Sequence, residues 1–110
     1  MFLFALLSTA LAEDLPGKAV YTQFCVTCHG PEGDGGGPAG AALDPKPANF
    51  TEASFWEGRD EAHLKKVVTE GGASVGVSPL MIAWGGVLSE EQITQVVAYV
   101  QSFEPAESTP

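Results

Sequence analysis

The sequence has 110 residues, of which 14 are acidic and 5 are basic, giving a formal charge of −9. A chain this short forms one domain at most, and its limited core is commonly supported by a disulfide, a metal or a cofactor. The acidity argues against nucleic-acid binding, which needs a basic surface. It permits electrostatic steering of a partner with a basic docking face, and it is equally consistent with a surface that only keeps the protein soluble.

The first element is an uncharged apolar segment over residues 1–12, followed by the acidic pair Glu13 and Asp14. It ends in a small-x-small pattern at Ala12, which predicts a cleaved secretory signal and a periplasmic or otherwise exported protein, although no basic residue precedes the apolar run. A retained anchor is the alternative, but about 12 apolar residues are fewer than the roughly 20 that span a bilayer. We therefore expect no stable membrane insertion of the mature chain.

Two helices are predicted in the first two thirds of the mature sequence. The first covers residues 14–25, with Asp14 as the N-cap and Pro16 in the first turn. A loop rich in glycine and proline follows. The second helix begins near Asp60 and ends at Gly71.

The third predicted helix follows another glycine-rich loop. Ser89 and Gln92 form a capping box, an apolar stripe runs through the following residues, and Pro105 ends the helix. Residues 105–110 are predicted to be a disordered polar tail. No strand pattern is present, so the sequence predicts an all-α fold with a domain over residues 13–104.

The pattern C-x-x-C-H at Cys25, Cys28 and His29 allows three chemistries. A zinc site needs two further ligands, and only His63 remains as a histidine. A redox dithiol is expected at a helix N-terminus beside a strand, whereas this pair closes a helix. Attachment of a c-type haem accounts for every position, because two thioethers hold the macrocycle and the adjacent histidine supplies the proximal ligand. The pattern predicts one covalent haem c.

An electron-transferring haem needs a second axial ligand, and Met81 is the one methionine of the predicted mature chain. It lies in a loop, away from any apolar stripe, so we predict that it is the distal iron ligand. His63 is the alternative ligand. Trp84, close to Met81 in sequence, is a candidate for packing on haem or bonding a propionate, and so is Trp56. Ordinary core packing explains either tryptophan equally well.

The sequence resembles the class I c-type cytochromes over residues 14–103. The resemblance is carried by the haem motif on an N-terminal helix, a middle segment over residues 45–58, and the block 78–103 with the methionine and the terminal helix. Members of this family often have proline after the ligand methionine, where this chain has Ile82. The resemblance implies a cytochrome c fold, with three to four short helices wrapped around one covalently attached haem and with long loops rich in glycine and proline.

The resemblance also implies particular contacts. The first and last helices should cross closely, with Gly17, Tyr21 and Tyr99 at the contact. A loop proline carbonyl should accept the proton of the proximal histidine's Nδ1; Pro38 matches that place, and Pro31 is the weaker alternative.

These features predict an exported one-electron carrier between redox protein partners, not an enzyme. One alternative is a haem enzyme or gas sensor in which the methionine detaches. The other is the cytochrome subunit of a larger oxidoreductase complex.

Overall fold

A computed structural model of the chain describes residues 15–106. Within this range the chain forms four α-helices: α1 Gly17–Phe24, α2 Val26–His29, α3 Glu61–Glu70 and α4 Glu90–Gln101. The loops between them contain three short 3-10 helices: Gly40–Ala42, Ala53–Trp56 and Gly72–Val75. No strand occurs between residues 15 and 106. The all-α prediction is confirmed.

The first and last helices cross at close range. A Cβ atom on Gly17 would collide with the carbonyl oxygen of Gln95 and the Cα of Val96, so only glycine lets the two backbones approach this closely. Further along the contact, the rings of Tyr21 and Tyr99 lie 5.1 Å apart between centroids. The crossing that the family resemblance implied is therefore present.

Helix α3 also packs against α4 and contributes Leu64 to one apolar core. Its most deeply buried side chains are Tyr21, Val96 and Val97. The whole cluster of buried residues consists of Val20, Tyr21, Phe50, Trp56, Leu64, Leu88, Ile93, Val96, Val97, Tyr99 and Val100. This core fixes the positions of the three longer helices, from which the loops and α2 extend.

Two predicted helix starts are confirmed by their hydrogen bonds. The carboxylate of Asp60 accepts from the His63 amide at 2.9 Å at the start of α3. At the start of α4, the Gln92 amide donates to Ser89 Oγ at 3.1 Å and the Ser89 amide donates to Gln92 Oε1 at 2.9 Å. Both caps satisfy amides that a helix leaves unpaired in its first turn.

Two predicted helix ends differ from the structure. The first helix ends at Phe24, and Cys25, with a φ of −114°, separates α1 from α2. Helix α4 ends at Gln101, before Pro105 is reached, and the Ser102 amide closes the last turn on the carbonyl of the third preceding residue at 3.0 Å. The predicted stop at Pro105 is therefore four residues beyond the last helical residue.

Several predictions concern residues outside the described range. The predicted signal over residues 1–12, the cap at Asp14 and the end of the predicted tail, residues 107–110, lie there. Among the helices that the structure describes, none has the length and apolar character needed to cross a membrane.

Candidate cofactor site

One cavity of about 580 Å³ lies between α1, α2, α3, α4 and the loops. This volume is in the range of ordinary small-molecule and cofactor sites, and most of its lining is apolar or aromatic. The sequence-predicted site residues on its wall are Cys25, Cys28, His29, Met81 and Trp84, together with the alternative ligand His63. The structure thus brings together, around one cavity, residues that are up to 59 positions apart in the sequence, as Cys25 and Trp84 are.

Cys25 and Cys28 are both half-buried and border the cavity within one helical turn. The Cys28 amide donates to the Cys25 carbonyl at 3.2 Å, and the His29 amide donates to it at 2.9 Å. Burial raises the pKa of the Cys25 thiol to about 11, with a smaller contribution from the Cys28 thiol. A redox dithiol depends on a lowered thiol pKa, so this environment disfavours the dithiol alternative.

His29 is oriented by a backbone carbonyl. Its Nδ1 lies 3.3 Å from the carbonyl oxygen of Ala48, and since a carbonyl only accepts, Nδ1 is the donor. Burial lowers the pKa of His29, while this hydrogen bond acts in the opposite direction. The ring also stacks on Phe50, with centroids 4.7 Å apart and planes 21° apart. The imidazole is therefore held with the lone pair of Nε2 free for a metal.

The prediction that Pro38 supplies this carbonyl is wrong. Pro38 is exposed and does not line the cavity. The residues on either side of it form hydrogen bonds with α2. The Gly37 amide donates to the Cys28 carbonyl at 3.1 Å, and the Ala39 amide donates to the Thr27 carbonyl at 2.9 Å. This loop closes the C-terminal end of α2, whose last carbonyls need partners, and so it lies away from the imidazole ring.

Sequence reasoning did not predict the contacts of Ala48, Phe50 and Tyr21 that position the proximal side of the site, although it placed Tyr21 at the helix crossing. The Phe50 amide donates to the Gly33 carbonyl at 2.7 Å, which holds the segment with Ala48 beside His29. The Tyr21 hydroxyl donates to the carbonyl of Gly30 at 2.5 Å. Burial raises the pKa of Tyr21 above its usual value, so the hydroxyl keeps its proton. The aromatic character of Tyr21 and Phe50 was a signal for burial, whereas the carbonyl of Ala48 has no sequence signature.

Met81 is half-buried and reaches the cavity from the loop before α4. Its carbonyl accepts from the Gly72 amide at 2.8 Å, and its own amide donates to the Ser78 carbonyl at 3.3 Å. His63, on α3, also lines the cavity and is half-buried. Both candidate distal ligands thus face the same space, and ligation by Met81 stays a prediction.

The two tryptophans have different roles. Trp84 lines the cavity, packs against Phe24 with centroids 5.2 Å apart, and donates its amide to the Val68 carbonyl at 2.8 Å. Trp56 does not line the cavity, and its indole N–H donates to the Phe50 carbonyl at 2.9 Å. Trp56 is therefore a core residue, and Trp84 is the tryptophan able to contact a bound cofactor.

The donor set fits a c-type haem. Two thiols one turn apart, an imidazole with a free Nε2 and a thioether border one largely apolar cavity. A zinc site finds less support, since residues 15–106 contain no group of three His, Cys, Asp or Glu side chains placed to bind a metal.

Comparison with known proteins gives one family match. The family model described as cytochrome c oxidase, cbb3-type, subunit III matches residues 12–100 of the chain. The match includes all of the cavity-lining residues named above.

Curated relatives agree with this match. The chain is 34% identical over 87 residues to the cbb3-type cytochrome c oxidase subunit FixP of Bradyrhizobium diazoefficiens, covering 79% of this chain and 26% of the relative. It is 33% identical over 104 residues to FixP of Azorhizobium caulinodans, covering 92% and 32%. The subunit CcoP of Azospirillum brasilense is 30% identical over 96 residues, covering 87% and 30%. The chain therefore spans about a third or less of the length of these relatives.

Proposed function

The chain belongs to the family of cbb3-type cytochrome c oxidase subunit III, and from this premise we propose that it is a one-electron carrier that binds one covalent haem c. The observation that carries the proposal is the meeting of Cys25, Cys28, His29 and Met81 at one largely apolar cavity. We propose that the chain transfers electrons and does not itself turn over a substrate.

When bound, haem supplies an iron that alternates between Fe(III) and Fe(II). Cys25 and Cys28 would hold the group through thioethers, while Nε2 of His29 and the sulfur of Met81 would bind the iron. The Ala48 carbonyl keeps the proton on Nδ1 of His29 and fixes the ring orientation. The apolar lining limits the access of water, and together with His/Met ligation this favours a high reduction potential.

We further propose that the chain works as the cytochrome component of a larger oxidoreductase complex. The relatives are named as oxidase subunits, which favours this alternative over a carrier that shuttles freely between partners. The partners would then be other components of a cbb3-type oxidase. Covalent haem attachment takes place outside the cytoplasm, which agrees with the predicted signal and a periplasmic location of the haem domain.

The cavity mouth has the surface expected for such a partner. Val77, Leu80 and Ile82 line the cavity and are 49%, 52% and 54% exposed in the protein alone, and bound haem would cover the parts that face the cavity. Large apolar side chains exposed together commonly mark a contact surface. An oxidase component seated here would cover these side chains and come close to the cofactor cavity.

The haem proposal is tested on the purified wild-type protein. We expect the denatured protein in alkaline pyridine to give a c-type haemochrome spectrum with haem that acidified acetone does not extract. The variant carrying Cys25→Ala and Cys28→Ala should contain no covalent haem. Extractable haem in the wild type, or none at all, would contradict the proposal. Rapid CO binding by the reduced protein would instead favour a gas-binding function.

The complex is tested with a matched pair of surface variants. Leu80→Gln changes the cavity mouth, whereas Val87→Gln changes an apolar side chain that is 60% exposed and does not line the cavity. We expect Leu80→Gln to reduce, by roughly tenfold, the rate at which a purified cbb3-type oxidase of the same organism oxidises the reduced protein, and to weaken their co-purification. Equal rates for the two variants would argue against this surface as the contact.

A further inference from the structure

A long exposed segment of this acidic chain carries no charge. Charged residues make up 17% of the sequence, yet residues 71–89, which connect α3 to α4, contain none. Burial does not explain this composition, because most of these residues are exposed. The segment also holds the large apolar side chains that are exposed in the described part of the chain: Val77, Leu80, Ile82 and Val87. Its composition is therefore that of a surface covered by a partner.

The outer side of this segment is apolar independently of the cofactor. Bound haem would cover the parts of Val77, Leu80 and Ile82 that face the cavity. Pro79 and Ala83, in contrast, are exposed and do not line the cavity, so haem would leave them in contact with solvent. These five residues are called the loop face below. The loop face therefore remains an apolar surface when the cavity is filled.

Hydrogen bonds to α3 and to the residues that follow it position the loop face beside the cavity. The Gly72 amide donates to the Met81 carbonyl at 2.8 Å, and the Trp84 amide donates to the Val68 carbonyl at 2.8 Å. Met81, which lines the cavity, lies between Leu80 and Ile82 of the loop face. A partner on the loop face would therefore be close to the cofactor, as electron transfer requires.

Charge distinguishes between the candidate occupants of the loop face. A second copy of the chain has the same formal charge of −9, so two copies repel each other. Bilayer surfaces attract segments with lysine or arginine, and residues 71–89 have neither. A basic protein face would lose hydration against apolar side chains that offer no opposite charge. The occupant that fits is a protein with an apolar, uncharged contact face.

Building on the proposed function, we propose that the oxidase component binds the loop face through an apolar, uncharged surface of its own. The overall acidity of the chain permitted a partner with a basic docking face, but the loop face has no charge to pair with one. Burial of apolar surface then drives the association, and a charge of either sign at the contact opposes it.

The test places opposite charges at one position of the loop face. Ala83→Lys and Ala83→Glu change an exposed residue that does not line the cavity, and Ala83→Gln adds a polar side chain without charge. The measured quantity is the second-order rate constant at which a purified cbb3-type oxidase of the same organism oxidises the reduced, haem-loaded protein. We expect both charged variants to lower it roughly tenfold, because either charge loses hydration at the contact, and Ala83→Gln to lower it less.

Thr22→Lys and Thr22→Glu are the matched controls. Thr22 is exposed on α1 and does not line the cavity, so these variants make the same changes of net charge away from the loop face. Their rate constants should stay within about twofold of the wild type, because solvent and salt screen an exposed charge. If the Ala83 variants contain no haem, the same two charges at Pro79 decide the question.

The outcomes separate this inference from the proposed function. A rate constant lowered by Ala83→Lys but not by Ala83→Glu, or the reverse, would reveal a charged docking face and overturn the inference, while the haem proposal stands. Rate constants equal to those of the Thr22 controls would also overturn it. If phosphatidylcholine vesicles bind the wild type but not Ala83→Glu, or if a dimer in sedimentation is lost in Ala83→Glu, the occupant is a bilayer or a second copy. An oxidase that fails to oxidise the wild type would contradict the proposed complex, and this inference with it.

Discussion

The substitution Gly72→Ala tests whether the loop geometry presents Met81 to the cavity. Gly72 connects the 3-10 helix Gly72–Val75 to this loop: its amide donates to the Met81 carbonyl at 2.8 Å, and its carbonyl accepts from the Val77 amide at 3.0 Å. A Cβ at this position would collide with the carbonyl oxygen of Ser78 and lie 3.1 Å from the Cβ of Met81. The loop therefore has to move if the methyl group is added.

The size of the effect follows from this overpacking. An extra carbon forced into a packed site costs about 1–3 kcal/mol. The nearest obstacle is backbone, so rotation of a side chain cannot relieve the collision. If the loop relieves it by withdrawing Met81, the ratio of ligated to detached methionine falls by roughly 5- to 150-fold, since 1.4 kcal/mol corresponds to a factor of ten.

Two measurements on the haem-loaded protein serve as the assay: the absorption spectrum of its oxidised form and its reduction potential. We expect Gly72→Ala to weaken the long-wavelength band that reports an iron–methionine bond and to lower the potential. Gly86→Ala is the matched control, because a Cβ there meets no atom within 4 Å. An undiminished band and an unchanged potential in Gly72→Ala would refute the role given to this contact, even if the variant unfolded more easily.

Two further predictions concern the ligand itself and the helix crossing. Met81→Ala should lower the reduction potential and let the reduced protein bind CO, because the thioether no longer occupies the second ligand position of the iron. A potential equal to that of the wild type would show that another residue is the ligand, and His63 would be tested first. Gly17→Ala should lower the free energy of unfolding in urea by about 1–3 kcal/mol, because its Cβ meets the backbone of α4, whereas Thr22→Ala at an exposed position of the same helix should change it little. Equal urea midpoints of unfolding for Gly17→Ala and Thr22→Ala would show that α1 and α4 can move apart without loss of stability.

Local signals explain which parts of the fold could be predicted from the sequence. The caps at Asp60 and Ser89 depend on side chains that bond amides within three residues, so these two helix starts could be predicted from the sequence. The first helix is interrupted at Cys25, although the sequence has no glycine or proline at this position that would predict a break. The residue pattern therefore predicted a first helix that ends at Cys25, one residue beyond its observed end, and did not predict the short helix α2 as a separate element.

In the site, the residues that act through their side chains could be predicted from the sequence, whereas those that act through the backbone could not. Cys25, Cys28 and His29 were identified because their chemistry lies in the side chains and in a fixed spacing. The acceptor for His29 is a backbone carbonyl, at Ala48, which any residue could supply. The family resemblance suggested Pro38 instead, but the amides beside Pro38 are needed by the last carbonyls of α2.

The fold restrains the two predicted iron ligands, His29 and Met81, to different extents. Tyr21 packs in the crossing of α1 and α4, and its hydroxyl donates to the carbonyl of Gly30, the residue directly after His29. This hydrogen bond links His29 to the helical core. Met81 is held by backbone hydrogen bonds of its loop, among them the one from Gly72, and nearby side chains such as Leu80 are exposed. Local opening requires least free energy where few buried contacts must be broken. Disturbance of the fold should therefore release the methionine before the histidine, so the loss of the iron–methionine band should precede global unfolding in a denaturant titration.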